Sequence, residues 1–273
     1  MSKPRTYQTE AIIIKKTKLG EADTIFTLYT PDLGKIEGFA RSVRKTKSKL
    51  AGHLELLTHS QVSLARGKNL DTIIGSQTID SFLAIKSDLW LTSCALYASE
   101  LVNQFTPDDS GDEPLYRLFL ETLKQLTPAA DKELVLRYFE LHLLGEAGYR
   151  PQLKECLACH RQLEPVVNSF CPRNGGMLCP DCVPGQPPSY PVSVNAQKVL
   201  RLFQDSDYSA VDRIKVSPEL STELERILGI YLKYLLEKDV KSASWLGELR
   251  EQRIVLSQPA TTPAPAPPPP PST

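Results

Sequence analysis

The sequence YQTEAIIIKKTKLGEADTIFTLYT, residues 7–30, decides the fold of the N-terminal part of this chain. It begins with the apolar, mostly β-branched run Ala11–Ile14. After Gly20 and Glu21 it continues into a stretch rich in β-branched and aromatic residues. Runs of this kind, separated by turn-forming residues, are typical of paired strands. The segment therefore predicts two adjacent β-strands, 7–19 and 23–30.

Three further short strands follow before the periodicity of the sequence changes. The stretches 35–41, 61–65 and 71–76 carry alternating or β-branched residues, and turn residues at 31–34 and 66–69 separate them. Five strands within about 75 residues can close a small barrel. An OB-fold fits this count best, and an SH3-like barrel is the alternative.

Helical periodicity dominates from residue 82 onward. Apolar residues recur at three- and four-residue spacing in the predicted helices 84–105, 113–126, 131–147, 193–204 and 218–239. The fold class is therefore α+β and multidomain, with an N-terminal OB-fold β-barrel over residues 1–81 and an all-α helical domain over residues 82–250. The proline-rich tail, residues 251–273, cannot bury a core and is expected to be disordered.

Four of the six cysteines form two C-x2-C knuckles within a segment, 151–190, that interrupts the helical domain. Two knuckles can place four thiolates around one ion, and zinc suits such a closed site because it is redox-inert and favours thiolates. The sequence therefore predicts an inserted zinc finger whose structural Zn²⁺ ion is held by Cys156, Cys159, Cys179 and Cys182. Two disulfides or unligated thiols are the alternatives, and a reducing cytoplasm disfavours the disulfides.

Two other residues leave the ligand set open. His160 follows the first knuckle and Cys171 lies between the two knuckles, so either could replace a ligand, although a surface imidazole and a spare buried thiol are simpler interpretations. Few large apolar residues occur in the segment 151–190. Zinc contributes roughly 10–16 kcal/mol in small fingers, whereas a whole domain is stable by only about 5–15 kcal/mol. We therefore expect the segment to be ordered with zinc and disordered without it.

Charge is unevenly distributed along the chain, although the formal net charge is zero. Residues 1–79 hold 13 Lys and Arg against 7 Asp and Glu, which leaves 19 against 25 in the rest. The densest cations, which we call the basic run, are Arg41, Arg44, Lys45, Lys47 and Lys49. Because Lys and Arg neutralise phosphates without reading sequence, the run favours nucleic-acid binding over a merely solvated loop. The residues that could extend this surface are Lys15, Lys16, Lys18, Arg66 and Lys68.

Two aromatic residues of the predicted barrel, Phe26 and Phe39, are candidates for base stacking. Single-strand-binding OB-folds use aromatic side chains in this way. An aromatic residue in an alternating strand is more commonly part of a core, so the basic run is the stronger signal.

Several function classes are disfavoured by what the sequence lacks. No apolar run reaches the roughly 18–20 residues that span a bilayer, and the N-terminus lacks the apolar stretch of a secretory signal. We therefore expect a cytoplasmic protein with no membrane partner. Nucleotide-binding and metalloprotease motifs are absent, so we expect no enzymatic activity. A zinc-ribbon interaction module is the main alternative, and a zinc-dependent hydrolase would need an open coordination position.

Six short segments carry a family resemblance, namely Tyr7–Ile14, Gly20–Asp23, Leu28–Lys35, Ala40–Lys45, Gly145–Pro151 and Gly175–Cys179. In this order and spacing they resemble the bacterial RecO family of DNA repair and recombination proteins, over about residues 5–250. The resemblance implies an OB-fold, a helical domain and a zinc finger, although zinc is not retained in every member. Cys171 is not part of the expected pattern.

The resemblance also implies a function and partners. RecO-like proteins bind single- and double-stranded DNA and anneal complementary strands without ATP. With RecR and the C-terminal tail of the single-strand binding protein SSB, they help to load RecA at gaps in the RecF pathway. Carried over to this chain, the DNA contacts are Arg41, Arg44, Lys45, Lys47 and Lys49, and the expected location is the cytoplasm, in association with the nucleoid.

Overall fold

The computed structural model describes residues 5–108 and 110–257. Five strands form the N-terminal part: β1 (Thr6–Leu19), β2 (Asp23–Thr30), β3 (Gly34–Ala40), β4 (His59–Ala65) and β5 (Asp71–Asp80). The helices are α1 (Leu83–Lys86), α2 (Leu89–Phe105), α3 (Glu113–Gln125), α4 (Lys132–Glu146), α5 (Val194–Asp205), α6 (Ser209–Arg213), α7 (Pro218–Leu236) and α8 (Lys241–Ser257). Between α4 and α5 lie the short strands β6 (Asn168–Cys171), β7 (Gly176–Leu178) and β8 (Tyr190–Val192).

The five N-terminal strands close into a barrel in the order β1-β2-β3-β5-β4, with β4 returning to β1. All neighbouring strands are antiparallel except β3 and β5, which run parallel. Because β4 lies beside β1 and the first three strands are consecutive, the barrel has Greek-key connectivity, which an OB-fold has. The prediction of an N-terminal OB-like barrel followed by helices is confirmed.

Both faces of β1 are buried, which explains its uninterrupted apolar run. Ala11 and Ile13 face the interior of the barrel, whereas Ile12 and Ile14 belong to the core of the helical part. The hydroxyl of Ser99 on α2 donates a hydrogen bond to the carbonyl of Ile14 over 3.3 Å. Since side chains alternate across a strand, one four-residue run supplies two cores and joins the barrel to the helices.

The turn between β2 and β3 is pressed against the connection between α2 and α3. Gly34 has a φ of +64°, and a Cβ atom there would lie 2.0 Å from the carbonyl oxygen of Ser110. Beside it, the ammonium of Lys35 lies 3.1 Å from a carboxylate oxygen of Asp108 and 2.9 Å from the carbonyl oxygen of Asn103. Glycine permits this close approach because it has no side chain.

Differences from the predicted helices have local causes. The predicted helix 84–105 is divided at Asp88, whose side chain accepts a hydrogen bond from the Leu91 amide over 2.9 Å and begins α2. Helices α6 and α8 were not predicted. Helix α8 continues to Ser257, so residues 251–257 are helical where the prediction expected a disordered tail. No proline lies between Pro218 and Pro259, so the sequence permits a helix here. Residues 258–273 lie outside the described residues.

No helix within residues 5–108 and 110–257 is long and apolar enough to cross a membrane.

Candidate functional site

The two cysteine knuckles meet in one cluster. The Sγ atoms of Cys156, Cys159, Cys179 and Cys182 all lie within 4.8 Å of one another. Cys159 and Cys179, one from each knuckle, are 3.9 Å apart. Four thiolates at about 2.3 Å from a central ion, arranged as a tetrahedron, are separated by about 3.8 Å. The cluster therefore has the size and the donor set of a four-coordinate metal site.

Backbone hydrogen bonds hold each knuckle in its turn. In the first knuckle the amide of Cys156 donates to the carbonyl of Arg161, and the amide of His160 donates to the carbonyl of Cys156, each over 2.9 Å. In the second, the amide of Cys182 donates to the carbonyl of Cys179 over 3.0 Å. The amide of Cys179 also points at the Sγ of Cys156 over 3.4 Å. Donors to sulfur, such as this last amide, stabilise the negative charge that a metal-binding thiolate carries.

Arg161 links the two knuckles from the surface. Its Nε donates to the Sγ of Cys159 over 3.4 Å, and its Nη2 donates to a carboxylate oxygen of Asp181 over 3.2 Å. The Arg161 side chain is the main reason that the pKa of Cys159 is lowered to about 6. Sequence reasoning missed both residues, although Asp181 lies within the second knuckle and Arg161 follows the first knuckle by two residues.

The residues that left the ligand set open lie outside the cluster. Cys171 is fully buried on β6, and His160 is exposed with a φ of +58° in the turn of the first knuckle. Among the described residues, neither joins the group of four sulfurs.

The inserted segment shares the core of the helices. The buried apolar cluster that contains residues of α2, α4 and α7 also contains Leu153, Phe170, Met177 and Leu178 of this segment. The ring of Phe170 lies 5.2 Å from that of Tyr231 on α7, edge to face. The segment has few large apolar residues, as expected, but the four named here are almost completely buried against the helices. Its dependence on a metal for order stays a prediction.

The basic run forms turns on the surface of the barrel immediately after β3. All five of its cations are exposed, and in the described part of the chain none of them forms an ion pair with a carboxylate. The amide of Ser42 donates to Asp23 over 2.6 Å, and the amide of Arg44 donates to the carbonyl of Ala22 over 3.0 Å. The guanidinium of Arg44 also donates to the carbonyl of Gly20. The run is thereby anchored on the β1–β2 turn, with its remaining cations directed to solvent.

The other cations named from the sequence also lie on the barrel. Lys15, Lys16, Lys18, Arg66 and Lys68 are all exposed. The guanidinium of Arg66 stacks on the ring of Tyr7 at 4.7 Å, and the ammonium of Lys16 lies 5.7 Å from the ring of Phe26. Exposed positive charge thus covers the β1–β2 hairpin, the basic run and the β4–β5 loop.

The two aromatic candidates for base stacking are separated by the barrel wall. Phe26 is 1% exposed and belongs to the interior of the barrel. Phe39 is half-buried and lies on the outer face. The structure therefore assigns Phe26 to the core.

Comparison with known proteins gives a consistent result over most of the chain. The profile of the family described as "Recombination protein O N terminal" matches residues 1–82, which include the barrel. The profile described as "Recombination protein O C terminal" matches residues 86–244, which include the helices and the cysteine cluster. The chain belongs to the RecO family.

Curated relatives agree with this membership. A DNA repair protein RecO from Dehalococcoides mccartyi (strain CBDB1) is 50% identical over 250 residues, which is 92% of this chain and 98% of the relative. The DNA repair protein RecO of Roseiflexus sp. (strain RS-1) is 40% identical over 257 residues, which is 94% of this chain and 90% of the relative. The DNA repair protein RecO of Symbiobacterium thermophilum is 32% identical over 250 residues, which is 90% of this chain and 99% of the relative. Membership of the RecO family supports a role in DNA repair and recombination.

Proposed function

We propose that this member of the RecO family is a recombination mediator that binds single- and double-stranded DNA and anneals complementary strands without ATP. The observation that carries the proposal is the basic run, whose cations are exposed, unpaired with carboxylates in the described chain and anchored on an OB-like barrel. Arg41, Arg44, Lys45, Lys47 and Lys49 are its DNA contacts.

Annealing by such a surface requires no catalytic residue. Two strands repel each other through their phosphates, and cations that neutralise one backbone lower this repulsion. Contacts to phosphate carry no sequence information and leave the base edges free to pair. The protein is therefore proposed to hold and neutralise a strand, not to act as an enzyme.

The metal of the cysteine cluster is proposed to be structural Zn²⁺. Four thiolates suit zinc, and they fill its tetrahedral coordination so that no position is left for water or substrate. Bound there, the ion would join the two knuckles covalently. Because the same segment packs on α7, the ion supports the helical part of the fold.

The proposed partners follow from family membership. They are RecR and the C-terminal tail of SSB, and through them RecA, which is loaded at gaps of the RecF pathway. A protein with these partners works in the cytoplasm, in association with the nucleoid.

The decisive experiment is annealing of complementary single strands without ATP, with the strands bare or coated with the cognate SSB. The natural chain is compared with Arg41→Glu/Arg44→Glu/Lys45→Glu. A matched control, Lys198→Glu/Lys215→Glu/Lys238→Glu, reverses three exposed cations of the helical part.

We expect annealing by the natural chain and the control, and its loss in the basic-run variant. Failure of the folded, metal-loaded natural chain to anneal would instead favour an interaction module without annealing activity. Equal losses of annealing activity in the basic-run variant and in the control would show that the basic run has no special role.

A further inference from the structure

An apolar pair lies on the outside of the barrel, beside the basic run. Ile25 on β2 and Phe39 on β3 are directly opposite each other in the antiparallel register. Their neighbours along the strands, Phe26 and Ala40, are buried in the barrel interior. Since side chains alternate across a strand, Ile25 and Phe39 both face outward, and both are half-buried.

Packing within the described chain does not account for two outward apolar side chains at this place. The helices cover the outer face of β2 at Tyr29, whose ring lies 5.9 Å from that of Tyr116 and 6.3 Å from that of Phe119. Ile25 and Phe39 lie toward the other end of the same face, and in the described chain neither is packed into the barrel core or the helical core. A cross-strand apolar pair contributes only about 0.2–1 kcal/mol to a sheet.

The charges around the pair are arranged so that phosphates can approach from two sides. Register places Lys15 on the same outer face, two positions along β1 from the residue opposite Ile25. Arg41, the first cation of the basic run, follows Phe39 by two positions. Glu37 precedes Phe39 by two positions on this face and is exposed, and Asp23 is occupied by the Ser42 amide.

The strand beside Phe39 is β5, which follows the basic β4–β5 loop. Strand β5 begins at Asp71 opposite Gly38, and Thr72 lies opposite Phe39. The loop that leads into β5 carries the exposed cations Arg66 and Lys68. The Arg66 guanidinium stacks on Tyr7, so the cations that register and sequence place beside Phe39 are Lys15 and Arg41. An outward aromatic side chain beside cations is the arrangement by which single-strand binders track a backbone and stack its bases.

We infer that Phe39, backed by Ile25, is a base-stacking platform that makes the barrel prefer single-stranded over double-stranded DNA. The inference rests on the proposed function and adds its strand selectivity. Every base has a π-face, so stacking is tolerant of sequence. A duplex keeps those faces stacked inside and offers only its phosphates, which the basic run can contact in both forms of DNA.

The test measures the affinity of the full-length, metal-loaded protein for a single-stranded oligonucleotide and for a duplex of the same length. Phe39→Ala and Phe39→Leu both remove the ring, and Phe39→Leu retains an apolar side chain against Ile25. Phe39→Trp keeps a stacking surface. Tyr234→Ala on α7 is the control, because it removes an exposed aromatic side chain from the helical part instead of the barrel.

We expect Phe39→Ala and Phe39→Leu to weaken single-strand binding by about 5- to 150-fold, the range found for loss of one stacked base. Duplex affinity should stay within about twofold, and Phe39→Trp should bind single strands at least as tightly as the natural chain. The fluorescence of the indole introduced by Phe39→Trp should be quenched by single strands and not by duplex.

Two results would overturn the platform. One is unchanged single-strand affinity in Phe39→Leu, and the other is an equal loss for single strands and duplex in that variant. Either would leave the proposed function intact as long as the basic-run variant still loses binding to both forms of DNA. Retained binding in the basic-run variant would contradict the proposed function, and the Phe39 series would still decide the platform separately.

Discussion

The guanidinium of Arg137 donates a hydrogen bond to the carboxylate of Glu140 over 2.6 Å, one turn further along α4, and both side chains are almost completely buried. The hydroxyl of Tyr97 on α2 donates to the same carboxylate oxygen over 2.6 Å. Next to them, Arg250 of α8 bridges Glu133 and Glu225. Because the guanidinium of Arg137 also lies 4.0 Å from Glu225, four helices share one ionic network, which is buried at Arg137 and Glu140 and partly exposed at Arg250.

Removing one member of the buried pair should be far more costly than removing both. We expect Glu140→Leu to lower the free energy of unfolding by about 3–5 kcal/mol, since it leaves the buried charge of Arg137 without its main partner. Arg137→Met should also destabilise the protein at pH 7, but by less, because the carboxyl group of Glu140, whose pKa is already raised to about 7, can bind a proton. The combination of both with Tyr97→Phe, which also removes the orphaned hydroxyl, should recover most of this loss. Denaturant unfolding at pH 7 measures all three.

The control for this series is the exposed pair formed by Arg117 and Glu113 on α3. Arg117→Met should change stability by less than about 1 kcal/mol, because solvent screens an exposed ion pair. A combined variant as unstable as the single ones would contradict the explanation from buried charge.

The same carboxyl group should make stability depend on pH. Burial is the main cause that raises the pKa of Glu140 to about 7 in the folded protein, from an ordinary value near 4.5. A raised pKa means that the folded state binds the proton more tightly. The contribution of Glu140 is therefore fully present below about pH 4.5 and is lost as the pH rises through 7.

The difference in unfolding free energy between the natural chain and Glu140→Gln isolates this contribution, since glutamine does not titrate. We expect the difference to shift against the natural chain between pH 5 and pH 8. A difference that is flat over this interval would show that the carboxyl group is ionised throughout.

Metal binding should depend on four cysteines and not on the fifth in the finger. The natural chain and Cys171→Ala should each bind one Zn²⁺ per chain, and Co²⁺ in its place should give the absorption of a tetrahedral thiolate site. Cys182→Ser should lose the ion or bind it much more weakly, because only three thiolates remain.

Removal of the metal by a chelator should lower the unfolding midpoint of the helices as well as that of the finger. The reason is that Phe170 of the finger packs on Tyr231 of α7. Circular dichroism of the apo- and metal-loaded protein, recorded during thermal unfolding, measures the effect. Loss of metal by Cys171→Ala would contradict the assignment of the four ligands. An unfolding midpoint of the helices that is the same with and without metal would contradict the coupling between the finger and α7.

Single-strand affinity should fall steeply with salt. If the basic run neutralises about four phosphates, the slope of log affinity against log salt is roughly −3, and a fourfold rise in salt weakens binding on the order of fifty-fold. Lys47→Gln and Lys49→Gln should each make the slope shallower by about 0.7. Lys198→Gln on α5 should leave it unchanged, and a slope near zero for the natural chain would exclude the electrostatic mechanism.

Much of the fold followed from local patterns in the sequence. The β-branched run Ala11–Ile14 and the turn residues after it predict paired strands, and the structure has β1 and β2 there. Asp131 was predicted to begin a helix, and its carboxylate accepts hydrogen bonds from the amides of Glu133 and Leu134. The knuckle spacing likewise predicted that four sulfurs meet. The strands and the start of the helix depend on neighbouring residues, and the cysteine cluster was predicted from the type and spacing of its ligands, so none of them required the tertiary structure.

Other features depend on which surfaces meet, and the sequence left them open. Phe26 and Phe39 are the same residue type in strands of similar pattern, yet one fills the barrel and the other lies outside it. Arg161 and Asp181 are 20 positions apart in the chain and form an ion pair only because the knuckles close on each other. Sequence determined the strands, the main helices and the cysteine cluster of this protein through local propensity and spacing. Tertiary structure alone decided burial, charge pairing and exposure, because these depend on contacts between residues distant in the chain.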